Sequence, residues 1–460
     1  VLASAFSYPF VTDAEVLERA SDVEARIATA GGRVLFRYPG IAGVRVGDRA
    51  IPGQWLGNDL WSGDFPAGTH AVTLVVGEGG PPVVRVPQPG AVVTVAEFQA
   101  RAEQLRPGDE LVVVDGIYAD WRVKVVAQGT AEAPILIRPE TPGGVTLRRN
   151  SSIRIEGQHV ILKGFRFDHC GPNSAVYLQN AADCRVTQCQ FFSCGNPIST
   201  FYHILRVDAA CHRNRVDHCY FTGSKSMSLA QRVSTQIEIG THNQFDRNVF
   251  RDIYRYWVNG QENIQIGQNQ RGASGALEPF CTVEYNLFDH AWGDGEIFSN
   301  KSSGNRYRYN LASHCLRSSF TLRGGDHVLF EGNVMVNNGD GVRVMGGHHT
   351  IVNNFIADMP GYGLLFETGH EDGESNVASV ESLIAHNTIV DCLSGAVGAP
   401  AAGGSRPHSP SRNVFRNNVF SGISGTLLDN RHMVDSVIER NLFHARSEER
   451  RVGKECRSRW

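Results

Sequence analysis

The residues with most chemistry in this chain fall between positions 257 and 345. WVNGQENIQIG carries Asn259, and HAWGDGEIFSNKSSGNRYRYN carries Asp294, Glu296 and Lys301. SSFTLRGGDH carries Arg323, and DGVRVMGGHH carries Arg343. Asp294 and Glu296 are two positions apart, so on a strand they project to one face. Two carboxylates and an amide carbonyl are hard oxygen donors, suited to Ca²⁺ rather than to zinc or copper. Between Asn300 and Met345 there are six Lys/Arg against three Asp/Glu, which favours a polyanionic ligand. Alone, an Asp-x-Glu pair is more often a solvated face and a lysine ordinary surface. An arginine inside the apolar run FTLRGG is less ordinary, because arginine is rarely buried without a partner. His327, His348 and His349 suit either a cleft lining or a turn.

These groups are far apart in sequence, so something periodic has to bring them together. The chain supplies it. VTQCQFF, VDHCYF, FDRNVF, VEYNLF, YRYNLA, FEGNVM, IVNNFI, IAHNTIV, FRNNVF and IERNLF recur from Cys189 to Asn441 at spacings of 21–38 residues. Each is a short alternating strand, a polar bend and a second apolar pair, and strands ending in Gly lie between them. Such a unit predicts one coil of a parallel β-helix, with about eleven coils stacked at about 4.8 Å. The recurrent Asn suits a left-handed bend and a ladder of stacked amides. A propeller would need longer antiparallel strands and more regular periods. On a solenoid, Asn259, Asp294/Glu296/Lys301, Arg323 and Arg343 occupy successive coils.

Val93 to Gly108 predicts a helix with Val95, Phe98, Ala102 and Leu105 on one stripe, placed to cap the open end of the coils. Residues 1–90 read as a small accessory domain, mainly β, with a helix over Thr12 to Ala30. Its Trp55 and Trp61 suit packing more than sugar stacking. Residues 92–445 are the β-helix. The last fifteen residues, 446–460 (RSEERRVGKECRSRW), resemble a translated sequencing adapter and are set apart as a non-native tail, so the β-helix is expected to be truncated at its C-terminus. Without them the chain has 38 Lys+Arg and 44 Asp+Glu.

Composition excludes several classes. The 460 residues are 41% hydrophobic with a net charge of −3, too apolar for a disordered chain and without a polycationic signature for nucleic acid. No run approaches the ~18 apolar residues of a membrane span. Nine cysteines precede the tail without a CxxC pair, which argues against zinc and against a complete disulfide framework, and leaves small core residues.

The run NGQENIQIG…VEYNLFDHAWGDGEIFSNKSSGNRYRYN…FTLRGGDHVLFEGNVMVNN…GVRVMGGHHTIVNNF resembles polysaccharide lyase family 6, the family of alginate lyases and chondroitinase B. PGDELVVVDGIY…GTAEAPILIRPETPG resembles its first coils. The resemblance implies a right-handed parallel β-helix that cleaves an acidic polysaccharide by calcium-assisted β-elimination. It implies Asn259, Asp294 and Glu296 as Ca²⁺ ligands, Lys301 as the base and Arg323 as its acid partner. Arg343, His327 and His348 would then contact substrate. Two departures stand out: Asp294 where the family has Glu, and Gly324 after Arg323 where it commonly has His. GVRVMGG is similar to the alginate-lyase form of that coil, which favours alginate over dermatan sulfate, and the family implies a secreted or periplasmic protein. A non-catalytic glycan-binding β-helix would keep the solenoid and its basic face but has no use for Lys301. A β-helix hydrolase would need clustered catalytic Asp residues, and none stands out.

Overall fold

The computed structural model describes residues 23–29, 32–37, 41–57, 60–76, 90–171, 174–196, 202–234, 239–256, 259–268, 277–372, 376–422 and 427–445. The tail 446–460 lies outside them. From residue 110 onward the chain winds into three long parallel sheets. One has 13 strands, from Glu110–Val113 to Val437–Glu439. The second also has 13, from Gly116–Ala119 to Leu442–Ala445, and the third has 11, from Arg122–Gln128 to Gly395–Gly398. Among the described residues, the first eleven coils give one strand to each sheet and the last two give strands to the first and second sheets. This is the parallel β-helix expected, with a few more coils than the repeats suggested.

Two ladders hold the coils in register. Inside, Phe167, Phe191, Phe221, Phe250 and Phe288 stack face to face with centroids 4.5–5.0 Å apart, which is the coil spacing itself. At the bend between the first and second sheets, Asn248, Asn286, Asn310, Asn333, Asn354, Asn387, Asn418 and Asn441 form the amide ladder. Asn286 Oδ1, for example, accepts from Asn248 N at 2.9 Å and from its Nδ2 at 3.1 Å. The left-handed conformation expected at these bends belongs to the residue before the Asn: Arg247, Tyr285, Tyr309, Asn353, His386, Asn417 and Arg440 all have φ of 54–57°. The asparagine keeps its amide for the ladder. All nine described cysteines are free and buried, as small core residues.

The capping helix is Val95–Ala102, shorter than predicted. Thr94 and Glu97 form a reciprocal capping box at its start. Phe98 and Ala102 are buried, Leu105 packs on the core, and Val95 in the overhanging first turn is exposed. Gln99 closes the sheet edge, since its Nε2 donates to Lys124 O (2.8 Å) and its Oε1 accepts from Lys124 N (3.1 Å). Backbone groups that an edge strand leaves open are thereby paired.

Residues 23–76 form two small antiparallel sheets around Val34, Phe36, Val44, Trp61, Phe65, Val72 and Leu74. The helix predicted over Thr12 to Ala30 is corrected over its second half. Val23–Thr29 is a strand paired antiparallel with Gly68–Val76, and residues 12–22 lie outside the described ones. The alternation of V-E-A-R-I-A-T and its partner strand override the helical propensity of Ala, Glu and Arg. Trp61 packs on Phe36 at 5.8 Å. The side chain of Trp55 lies outside the described residues.

Candidate active site

The third sheet positions the site. Ile264, Gln265 and Ile266 pair with Phe298, Ser299 and Asn300. These pair with Phe320, Thr321 and Leu322, and those with Val342, Arg343 and Val344. The inward apolar residues anchor each strand, so the polar residues between them stack outward in columns. On this register Glu262, two positions before Ile264, lies beside Glu296, two positions before Phe298. Asn263 N donates to Ile297 O at 3.1 Å between them.

The carboxylates converge, though not by simple strand alternation. Glu296 begins the strand Glu296–Lys301, whereas Asp294 sits on the preceding bend. Asp294 is held there by backbone donors: Gly260 N lies 2.7 Å and Gln261 N 3.2 Å from its Oδ2. Glu262, Asp294 and Glu296 are all buried. Burial pushes the Glu262 carboxyl up, Lys301 opposes this, and Asp294 and Glu296 push it further up; the net shift is upward. Lys301 is 8% exposed, and its Nζ bonds Glu262 Oε1 at 3.2 Å and Gln265 Oε1 at 3.0 Å. Arg323 NH1 donates to Glu296 Oε1 at 3.1 Å.

Several polar atoms are left over. Glu262 Oε2, Glu296 Oε2, Asn263 Oδ1 and Arg323 Nε are buried without hydrogen-bond partners. Buried orphan carboxylate oxygens are costly unless a cation or donor meets them. Three clustered carboxylates with two orphan oxygens form an all-oxygen donor set that fits a hard divalent cation such as Ca²⁺.

The structure thus brings Asp294, Glu296, Lys301 and Arg323 together, and adds Glu262. The signal for Glu262 was present in the sequence: aligning IQIG with FSNK sets it beside Glu296. Asn259 is exposed on the bend just before Gly260, and among the described residues its side chain makes no hydrogen bond. Arg343 lies at the edge of the cluster, with NH2 2.8 Å from Glu367 Oε1 and NH1 3.9 Å from Glu296 Oε1. His327 and His348 stack on one another (5.0 Å) at left-handed corner positions, and the carboxylate beside His348 Nδ1 is Glu381 at 3.4 Å rather than one of the three at the site. His349 is buried in the same turn, bonded to Met345 O.

A second group with metal-binding chemistry, Asp289, His290 and His314, lies on the second sheet. Asp289 Oδ1 already meets His290 Nδ1 (2.9 Å) and Ser313 Oγ (3.1 Å), and Oδ2 meets Arg251 Nε (2.9 Å). The same adjacent Asp–His hydrogen bond recurs at Asp168–His169 on the second sheet and at Asp217–His218 at the end of a first-sheet strand, so it is a device of the coil.

A parallel β-helix bearing lysine, arginine and clustered carboxylates on adjacent coils of one sheet is the architecture of a β-helix polysaccharide lyase. The chain belongs to the polysaccharide lyase family 6 group described as Chondroitinase B, whose sequence pattern matches residues 92–400. No curated protein matches it in sequence. Among solved structures, the PL6 family alginate lyase AlyGC is 26% identical, with TM-score 0.70, over 78% of this chain and 52% of its own. The chain therefore spans about half the length of that relative. A mannuronic acid specific family 6 lyase from human gut microbiota is 22% identical, with TM-score 0.64, over 78% and 87% of the two chains. The catalytic domain of a GH87 α-1,3-glucanase shares the fold alone, at 10% identity and TM-score 0.59 over 92% of each chain.

Proposed function

We propose that this protein is a lyase that cleaves a uronate-containing polysaccharide, alginate before dermatan sulfate, by β-elimination. The observation that carries the reading is a buried lysine and an arginine tied into one carboxylate cluster across adjacent coils, with two carboxylate oxygens left unmatched. The alginate lyase at 26% identity supports the substrate class, as does the local excess of basic residues.

In this reading Asp294, Glu296 and Glu262 hold Ca²⁺, with Asn259 at the rim as a further oxygen donor. The bound ion supplies positive charge beside the uronate carboxylate, whose own charge otherwise makes the C5 proton hard to remove. Lys301 Nζ, in its neutral form, takes the C5 proton. The C5 electron pair forms the C4=C5 bond, and the C4–O4 bond breaks with its pair going to O4. Arg323 stabilises the charge developing on O4 and passes it a proton as the leaving sugar departs, and the proton that Lys301 took from C5 restores Arg323, so both residues end as they began. No water is consumed, so the separated acid and base carboxylates of a glycosidase are not needed. Gln265 and Glu262 orient the lysine, and Glu296 orients the arginine. Arg343 meets the carboxylate of a neighbouring uronate, and His327 and His348 stand at the margin of the cleft. An extracellular or periplasmic site of action follows from a polymeric substrate. No helix among the described residues is long and apolar enough to cross a membrane.

The deciding experiment incubates the protein with polymannuronate, polyguluronate or dermatan sulfate and Ca²⁺ and follows the ultraviolet absorbance of an unsaturated uronate. Polymannuronate should give product, chelation should depress the rate, and Lys301→Ala should abolish it with the circular dichroism unchanged. Full activity in Lys301→Ala removes the assigned base. Tight glycan binding without product from any polymer favours a binding module.

A further inference from the structure

Toward the N-terminal coils, the third sheet carries basic groups that the reaction above does not use. Val207 pairs with Gln231, Gln231 with Ile266, and Ile266 with Asn300. The next position on each coil therefore makes one column: Asp208, Arg232, Gly267 and Lys301. Gly267 has φ +83°, and a Cβ there would stand 2.8 Å from the Lys301 carbonyl oxygen. The column is thus kept without a side chain between Arg232 and Lys301, which are two coil steps of about 4.8 Å apart.

The groups around Arg232 have a charge imbalance. Arg206 donates to Asp208 Oδ1 at 2.9 Å and lies over the Tyr177 ring at 4.9 Å, and its Nε is buried without a partner. Asp208 Oδ2 takes the Tyr177 hydroxyl at 2.5 Å. Arg232 is half-buried and, among the described residues, bonds no carboxylate. His203 is 5% exposed; burial, then the charges of Arg232 and Arg206, push its imidazole down to about 3, and Lys301 adds to the same field. Among the described residues, two guanidiniums and a neutral ring therefore stand near one carboxylate, which Arg206 alone bonds. A guanidinium withdrawn from water needs a counter-ion, and a carboxylate fits its fork with two hydrogen bonds.

We propose that Arg232, with Arg206 and His203 beside it, binds the carboxylate of a uronate unit other than the one losing its C5 proton, on the N-terminal side of Lys301. The proposal rests on the lyase reading of the Lys301 site, and it extends the polymer path along the column that Gly267 leaves clear.

The test measures steady-state kinetics of Arg232→Ala and Arg232→Gln on polymannuronate and on the shortest oligomer cleaved, after circular dichroism shows the fold intact. For both, KM on polymer should rise about tenfold with a much smaller change in kcat, and the advantage of polymer over short oligomer should shrink. Arg232→Lys should recover part of the loss, because it keeps the charge without the fork. Unchanged kinetics at every length overturn the subsite and leave the lyase reading standing. Failure of the wild type to release unsaturated product from any uronate polymer overturns the lyase reading. Affinity electrophoresis through polymannuronate then decides the subsite alone: retarded wild type with freely migrating Arg232→Ala supports it, and equal migration overturns it.

Discussion

Lys301 Nζ lies 3.2 Å from Glu262 Oε1, across 39 positions of sequence. The pair is buried, and the glutamate is pressed by Asp294 and Glu296 as well as held by the lysine. Glu262 therefore does two things at once: it accepts a hydrogen bond that fixes the Lys301 amine, and it adds a carboxylate to a negative site. A buried carboxylate kept for a cation is a strain on the empty site and a benefit to the filled one.

Glu262→Gln separates these effects. The amide oxygen still accepts from Lys301, but the repulsion with Asp294 and Glu296 is gone. Melting in EDTA should shift to higher temperature than in the wild type. Calcium affinity should fall at least by the roughly tenfold that even outer-sphere partners cost, so the stabilisation that added calcium gives should shrink. Calorimetry with and without calcium measures both. An unaltered calcium response excludes Glu262 from the ion site.

Arg343 is expected to act in binding rather than in the chemical step. Its closest partner is Glu367, which also takes Arg406 at 3.0 Å, and it is 3.9 Å from Glu296. Arg343→Ala removes a charge-assisted contact of about 1.5–3 kcal/mol, which corresponds to a KM increase of roughly ten- to a hundredfold. A loss confined to kcat would place Arg343 among the reacting groups instead.

The Asn ladder predicts a large effect from one small deletion. Asn310 Oδ1 accepts from both Asn286 N and Asn286 Nδ2 at 3.0 Å, and Asn310 Nδ2 donates to Val283 O and to Asn333 Oδ1. Asn310→Ala strips partners from buried groups on the two flanking coils at once, Val283 and Asn286 on one and Asn333 on the other. Leaving buried groups unmatched costs about 1–3 kcal/mol each, so denaturant unfolding should show a loss of at least 3 kcal/mol. Asn310→Asp, which keeps the accepting oxygen, should lose less.

Much of this is legible in the sequence. The recurring strand–bend–strand phrase is a local pattern, and the stack it implies already brings Asp294, Glu296, Lys301 and Arg323 to adjacent coils. What local pattern does not carry is register. Composition alone does not separate Asn259 from Glu262 as the partner of Glu296, whereas the pairing of Ile264 with Phe298 decides which side chain faces it. Asp294 reaches the cluster through the N–H groups of a bend, and no period-two rule contains that. At Val23–Thr29 a helical composition yields to a distant strand, Gly68–Val76, because pairing energy outweighs propensity. His348 and His349 are adjacent in sequence, yet one is exposed and the other fills a turn, a difference set by the coil corner.

That turn gives the protein a defined response to acid. His349 Nδ1 accepts from Val328 N at 3.2 Å and its Nε2 meets Met345 O at 2.8 Å, a pairing that requires the neutral ring with its proton on Nε2. Burial pushes its pKa down to about 4, with Met345 opposing. Above about pH 6.5 the ring is neutral in the folded and unfolded chains alike, so it adds no pH dependence. Between about 6.5 and 4 the unfolded chain takes a proton that the folded chain refuses, and stability falls with pH by up to about 3 kcal/mol. His203, pushed down to about 3 by burial and by Arg232 and Arg206, acts in the same direction. His349→Gln should therefore lower stability at pH 7.5, where a hydrogen bond is lost, yet lose less than the wild type on going from pH 6.5 to 4.5. Urea unfolding at a series of pH values measures the two slopes; parallel slopes mean that the buried ring is not the group that titrates.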